Sequence, residues 1–128
     1  MKRRHPESDL QSQVATLLKA YEAFGRLTWF PVPNGLHVAG GSIAERGRKV
    51  ATLKHKGQLR TGAPDIVLVT STGQFGAIEL KAPKGSLTAE QAEFRDCIRS
   101  MNGLWALCRS VEEVKGTLDA WTMARRAA

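Results

Sequence analysis

The chain has 128 residues, 42% of them apolar, a single-domain length with enough apolar material to bury a real core. Nineteen Lys and Arg against twelve Asp and Glu give a formal charge of +7, which fits a polyanionic partner without separating DNA from RNA or from an acidic membrane. No apolar tract approaches the roughly 20 residues that span a bilayer, and no apolar stretch follows the opening Met1-Lys2-Arg3-Arg4-His5-Pro6, so a cytoplasmic protein with no membrane partner is expected.

In chain order, Leu10, Val14, Leu17, Leu18 and Tyr21 recur at helical spacing and predict a helix from about Glu7 to Phe24 with one apolar stripe. Glu7 lies in its first turn, where the helix dipole by itself favours an acid. After Gly25, Leu27-Thr28-Trp29-Phe30-Pro31-Val32 reads as a strand, and its proline puts it at a sheet edge or near the strand's end. Residues 33–41 read as a loop in which Asn34-Gly35 is a turn dipeptide. Ser42 can cap a helix to about Thr52, but Gly47 weakens it, and the expected element order leaves it out. Arg46, Arg48, Lys49, Lys54, His55, Lys56 and Arg60 crowd this segment with few acids among them. They could clamp phosphates, or form an ordinary solvated face.

Two short apolar runs follow, Ile66-Val67-Leu68-Val69 and Phe75-Gly76-Ala77-Ile78, flanking the polar turn Ser71-Thr72-Gly73-Gln74. They read as a hairpin. If it is centred near Thr72, Ile66 faces Ile78 and Asp65 faces Glu79, with Cβ atoms about 5 Å apart. Lys81 projects from the same face as Glu79, because strand side chains alternate. Two adjacent carboxylates repel, and one has its pKa raised unless a cation sits between them. A hard divalent cation such as Mg²⁺ takes such oxygen ligands together with waters and substrate phosphate, and it favours phosphodiester hydrolysis by making hydroxide available and neutralising developing charge. Lys81 could orient the attacking water or stabilise the pentavalent phosphorus. The plain alternative is a surface hairpin whose Glu79 and Lys81 are solvated.

Thr88-Ala89-Glu90-Gln91 is a capping box opening a helix to about Met101, with Ala92, Phe94, Ile98 and Met101 inward, ended by Asn102-Gly103. Leu104 to Cys108 is the next strand. Ser110-Val111-Glu112-Glu113 is a second capping box, opening a last helix through Trp121. The expected order is α-β-β-β-α-β-α in one domain spanning residues 1–128, with short basic tails at 1–5 and 123–128. Cys97 and Cys108 form no C-x-x-C and read as buried small hydrophobes. His5, His37 and His55 fall at no metal-ligand spacing, and zincin, serine-esterase and P-loop motifs are absent.

Gly62-Ala63-Pro64-Asp65 with Glu79-Leu80-Lys81 resembles the PD-(D/E)XK nuclease superfamily, whose signature is short. Glu7 with Gln11 opening a helix, Pro33-Asn34-Gly35 after a strand, Gly57 before Gly62, and Thr88-Ala89-Glu90-Gln91 after the lysine together resemble the VRR-NUC domain, from about Glu7 to about Thr117. The resemblance implies a restriction-endonuclease-like α/β core, a mixed central sheet flanked by helices. It implies that Glu7, Asp65 and Glu79 bind Mg²⁺ or Mn²⁺, that Lys81 is catalytic, that Gln91 is a further site residue and that Asn34 faces the site. The Leu80 carbonyl joins the metal ligands in this scheme. The expected activity is a metal-dependent endodeoxyribonuclease selective for four-way junctions or flaps, in DNA repair or recombination. A nucleic-acid-binding module with a silent or partner-dependent site, and an RNA-processing nuclease, are the alternatives. Symmetric junctions present two equivalent strands, so a homodimer is expected, with Trp29, Trp105 and Trp121 as interface candidates if exposed.

Overall fold

The computed structural model describes residues 6–33, 42–57 and 60–123, and of Pro6, Glu7, Ser8, Val50 and Lys54 only the backbone. The elements are α1 (Pro6–Ala23), β1 (Leu27–Pro31), α2 (Ile43–His55), β2 (Ile66–Thr70), β3 (Phe75–Leu80), α3 (Ala89–Ser100), β4 (Leu104–Cys108) and α4 (Val111–Met123). The strands form one mixed sheet in the order β1-β2-β3-β4. β1–β2 and β2–β3 are antiparallel, and β3–β4 is parallel across the α3 crossover.

The α-β-β-β-α-β-α order therefore lacks one element, α2. Its N-terminus is the expected one: the Ser42 hydroxyl accepts the Glu45 N–H at 3.2 Å. Gly47 sits inside the helix, where its Cβ position is open to solvent. A glycine there costs about 1 kcal/mol relative to Ala, which weakens a helix without forbidding it.

One face of the sheet carries the core. Leu10, Val14, Leu18 and Tyr21 of α1 meet Leu27, Ile66, Leu68, Ile78 and Leu80 of the strands and Val114 and Leu118 of α4. Each fully buried Leu or Val in this cluster contributes about 1.5–3 kcal/mol by leaving water. Glycine makes part of the fit, since a Cβ on Gly76 would lie 2.9 Å from both the Leu68 side chain and the Trp121 ring. Helix α3 packs on β4, where the Arg99 guanidinium lies 5.5 Å from the centre of the Trp105 ring.

Several expectations need correcting. Met101 is 76% exposed, because α3 ends one residue before it and Asn102 (φ 64°) turns the chain away in a left-handed conformation. Cys97 is exposed on α3, whereas Cys108 is buried and its thiol pKa is raised by burial. The second capping box is shifted by one residue at its return bond: the Ser110 hydroxyl takes the Glu113 N–H at 3.1 Å, but the Glu113 carboxylate takes the N–H of Arg109 at 2.6 Å. None of the three tryptophans is an exposed interface residue; Trp105 is buried, and Trp29 and Trp121 pack half-buried on the core. Among the described residues, no helix is long and apolar enough to cross a membrane.

Candidate active site

The hairpin register is the one the turn predicts. Ile66 pairs with Ile78, Val67 with Ala77 and Leu68 with Gly76, so the next pair outward brings Asp65 to Glu79. β3 runs two residues past its apolar stretch because β4 supports it on the far side, with Glu79 paired to Leu107 and Leu80 to Cys108. A titratable residue is thereby held inside a sheet.

Glu79 is 4% exposed. Burial is the main reason that its carboxyl is pushed up to about 8, and the negative charge of Asp65 adds to it. The ammonium of Lys81, 3.7 Å from Glu79 Oε1, pulls the other way and does not win. Asp65 is fixed through one oxygen, since the Leu80 N–H donates to its Oδ2 at 2.7 Å. That bond crosses the hairpin and brings the Leu80 backbone beside the carboxylate.

Gln91 combines two roles that sequence could only set against each other. Its Oε1 accepts the Thr88 N–H at 2.9 Å and its backbone N–H donates to the Thr88 hydroxyl at 3.1 Å, completing the capping box. Its Nε2, which the box does not use, donates to Glu79 Oε1 at 2.9 Å. An amide carries donors and an acceptor on separate atoms, so one side chain caps α3 and holds the carboxylate.

Two further residues support the site in ways that local sequence does not disclose. Gly62 has φ +85°, and a Cβ on it would come within 2.5 Å of the Glu90 carbonyl oxygen. The loop leading to Asp65 can lie against the first turn of α3 only because no side chain intervenes. Arg109, just past β4, donates from Nη1 to the carbonyls of Ala82 (2.8 Å), Pro83 (3.3 Å) and Gly85 (2.6 Å), tying down the turn after Lys81. Gly62 was visible as part of a motif, though its reason was not. Arg109 bridges segments distant in sequence and leaves no local signal.

The other candidate residues are distributed differently. Glu7 is on the first turn of α1, but its side chain lies outside the described residues, as do Asn34, the Lys54 side chain, the tail at 1–5 and the tail at 123–128 apart from Met123, which closes α4. Among the described residues, no group of three His, Cys, Asp or Glu side chains is placed to hold a metal. Arg46, Arg48 and Lys49 are exposed on α2, with Lys56 exposed just past it. The Arg60 guanidinium stacks 4.6 Å from the centre of the Phe94 ring on α3.

The VRR-NUC domain model matches residues 11–112. Two solved structures share the architecture. One, described as a VRR_NUC domain, has a TM-score of 0.61 at 13% identity and covers 92% of this chain and 99% of its own. The other, described as a VRR_NUC domain protein, has a TM-score of 0.66 at 14% identity and covers 95% of this chain and 92% of its own. No curated protein matches the chain.

Proposed function

Because the chain belongs to the VRR-NUC domain family, a family of nucleases, we propose that it is a Mg²⁺- or Mn²⁺-dependent endonuclease hydrolysing DNA phosphodiester bonds. Its proposed substrates are branched DNAs, four-way junctions or flaps, met in repair or recombination. The observation that carries the reading is Glu79: a carboxyl 4% exposed, beside Asp65, whose ionisation burial and a like charge both oppose. Such a pair of hard oxygen donors fits a divalent cation, which removes the conflict between them. Asp65 and Glu79 would hold it, with Glu7 from the first turn of α1 and the Leu80 carbonyl. When bound, the cation neutralises charge developing on the phosphodiester and makes hydroxide available near neutral pH.

The protein's own groups do the rest. Gln91 fixes the Glu79 carboxylate, and the Leu80 N–H fixes that of Asp65. Lys81, confined near Glu79, orients the attacking water and stabilises negative charge on the phosphoryl oxygens. Arg46, Arg48, Lys49, Lys54, Lys56 and Arg60 draw the DNA backbone by charge, and the family resemblance adds Asn34 to the nucleic-acid contacts. Two such domains related by a two-fold axis would address the two equivalent strands of a junction.

Incubation of the purified protein with junction, flap, nicked, linear and single-stranded DNAs, in Mg²⁺, Mn²⁺ or chelator, tests the reading. Metal-dependent cleavage is expected, strongest on branched substrates. Absence of cleavage on every DNA with either metal would remove it, and preferential cleavage of matched RNAs would reassign the substrate. Light scattering with and without DNA reads the dimer directly; a monomer in both would exclude it.

A further inference from the structure

Lys81 stands one residue past the end of β3, so the sheet alone does not fix its side chain. Its N–H donates to the Cys108 carbonyl at 3.1 Å, and the chain then turns at once, with the Gly85 N–H returning to the Ala82 carbonyl at 2.9 Å. A Cβ placed on Gly85 would lie 3.5 Å from Lys81 Cδ, so the aliphatic stem of Lys81 rests against that turn. The side chain is 15% exposed although lysine is among the most exposed residue types. The turn forms one wall beside it, with Glu79 at its ammonium end.

The wall is in turn held by Arg109, whose Nη1 is aimed at three carbonyl oxygens of the turn. Bonds from an ionised donor are about twice as strong as neutral ones, and three partial dipoles pointing at one cationic nitrogen give the turn a single low-energy shape. From this arrangement we infer that Arg109 is the positioning residue of Lys81: it closes the turn at residues 82–85 and so keeps the Lys81 ammonium beside Glu79. Because Arg109 follows Cys108, which receives the Lys81 N–H, stem and wall are both referenced to β4. The consequence for catalysis rests on the nuclease reading of Lys81, whereas the confinement of its side chain does not.

Two readouts on the full-length protein test this. The first is the rate of amine labelling of Lys81, followed by mass spectrometry with exposed Lys19 as internal standard. Arg109→Met keeps the aliphatic stem and deletes the donors; it should raise Lys81 labelling severalfold and leave Lys19 unchanged. The second is single-turnover cleavage of whichever DNA the wild type cuts. A displacement of about 1 Å at a reacting group costs up to ~10²-fold, so Arg109→Met should slow the cleavage step by roughly 10- to 100-fold while DNA and metal affinities stay unchanged. Arg109→Lys, which restores a cation with three donors, should recover most of both. Gly85→Val gives an independent route, pressing on the Lys81 stem from the wall, and it decides the question if Arg109→Met does not fold. Wild-type labelling and rate in a folded Arg109→Met would overturn the inference, as would a loss of rate accompanied by an equal loss of metal affinity. If the wild type cleaves nothing, the nuclease reading falls, and Lys81 labelling still decides the positioning.

Discussion

The β2–β3 hairpin and helix α2 carry the two halves of the proposed work, and they are built in opposite ways. Around the hairpin each polar group is committed: Asp65 to the Leu80 N–H, Glu79 to Gln91 and Lys81, Gln91 to Thr88 as well. On α2 the described side chains from Ser42 to Lys49 are exposed, Ile43 by 82%, and among the described residues the helix shares no extensive packing with the other elements. The difference follows from what each task needs. Stabilising a transition state requires groups fixed to fractions of an ångström. Attraction of a polyanion requires only that positive charge be near and free to adapt.

The largest effects should come from breaking the fixed half. Asp65→Ala and Glu79→Ala should lose metal binding together with cleavage, whereas Lys81→Ala should bind metal and DNA and lose single-turnover cleavage by about 10²-fold or more. Calorimetric metal titration beside the cleavage assay separates the two classes. Near-wild-type cleavage by Lys81→Ala would mean that the ammonium is only a salt-bridge partner.

Next in size is a pH effect on the metal-free protein. The Glu79 pKa is raised from 4.5 to about 8 in the fold, so between those values the unfolded chain has released a proton that the folded one retains. Stability therefore falls as pH rises, by up to about 1.4 kcal/mol per unit from this one group. Urea unfolding in chelator at pH 5 and pH 7 should show a loss on the order of 2 kcal/mol, and Glu79→Gln should flatten that slope. A wild type equally stable at both pH values would show that the carboxyl ionises without penalty.

Two glycines give the same contrast on a smaller scale. Gly62→Ala places a methyl against the Glu90 carbonyl at a positive φ and should destabilise by about 1–3 kcal/mol. Gly47→Ala meets nothing within 4 Å and should stabilise by about 0.5–1 kcal/mol. Thermal melts of both variants check the pair, and equal signs would contradict the division drawn between the regions. Smallest in stability terms is the charge half: replacing Arg48 and Lys49 with Ala should leave the melt unchanged and lower the salt slope of DNA binding by about 0.9 for each phosphate no longer neutralised. An unchanged slope would mean that α2 faces away from the nucleic acid.

Sequence by itself determined the elements whose signal is local. The stripe of Leu10, Val14, Leu18 and Tyr21 set the buried face of α1, and the turn at Ser71–Gln74 set the register, because one slip would have turned every apolar strand residue to the wrong face. That register carried Asp65 to Glu79 without knowledge of the rest of the fold. The tertiary structure decided what depends on segments distant along the chain: that Glu79 is buried and its ionisation opposed, that Gln91 caps and binds at once, that Gly62 must be bare, that Arg60 stacks on Phe94, and that Arg109 holds the turn behind Lys81. The physical reason is one of range. Periodicity and turn chemistry act over a few residues, whereas burial, like-charge repulsion and a shared hydrogen-bond acceptor arise only when the sheet and α3 have closed around the site.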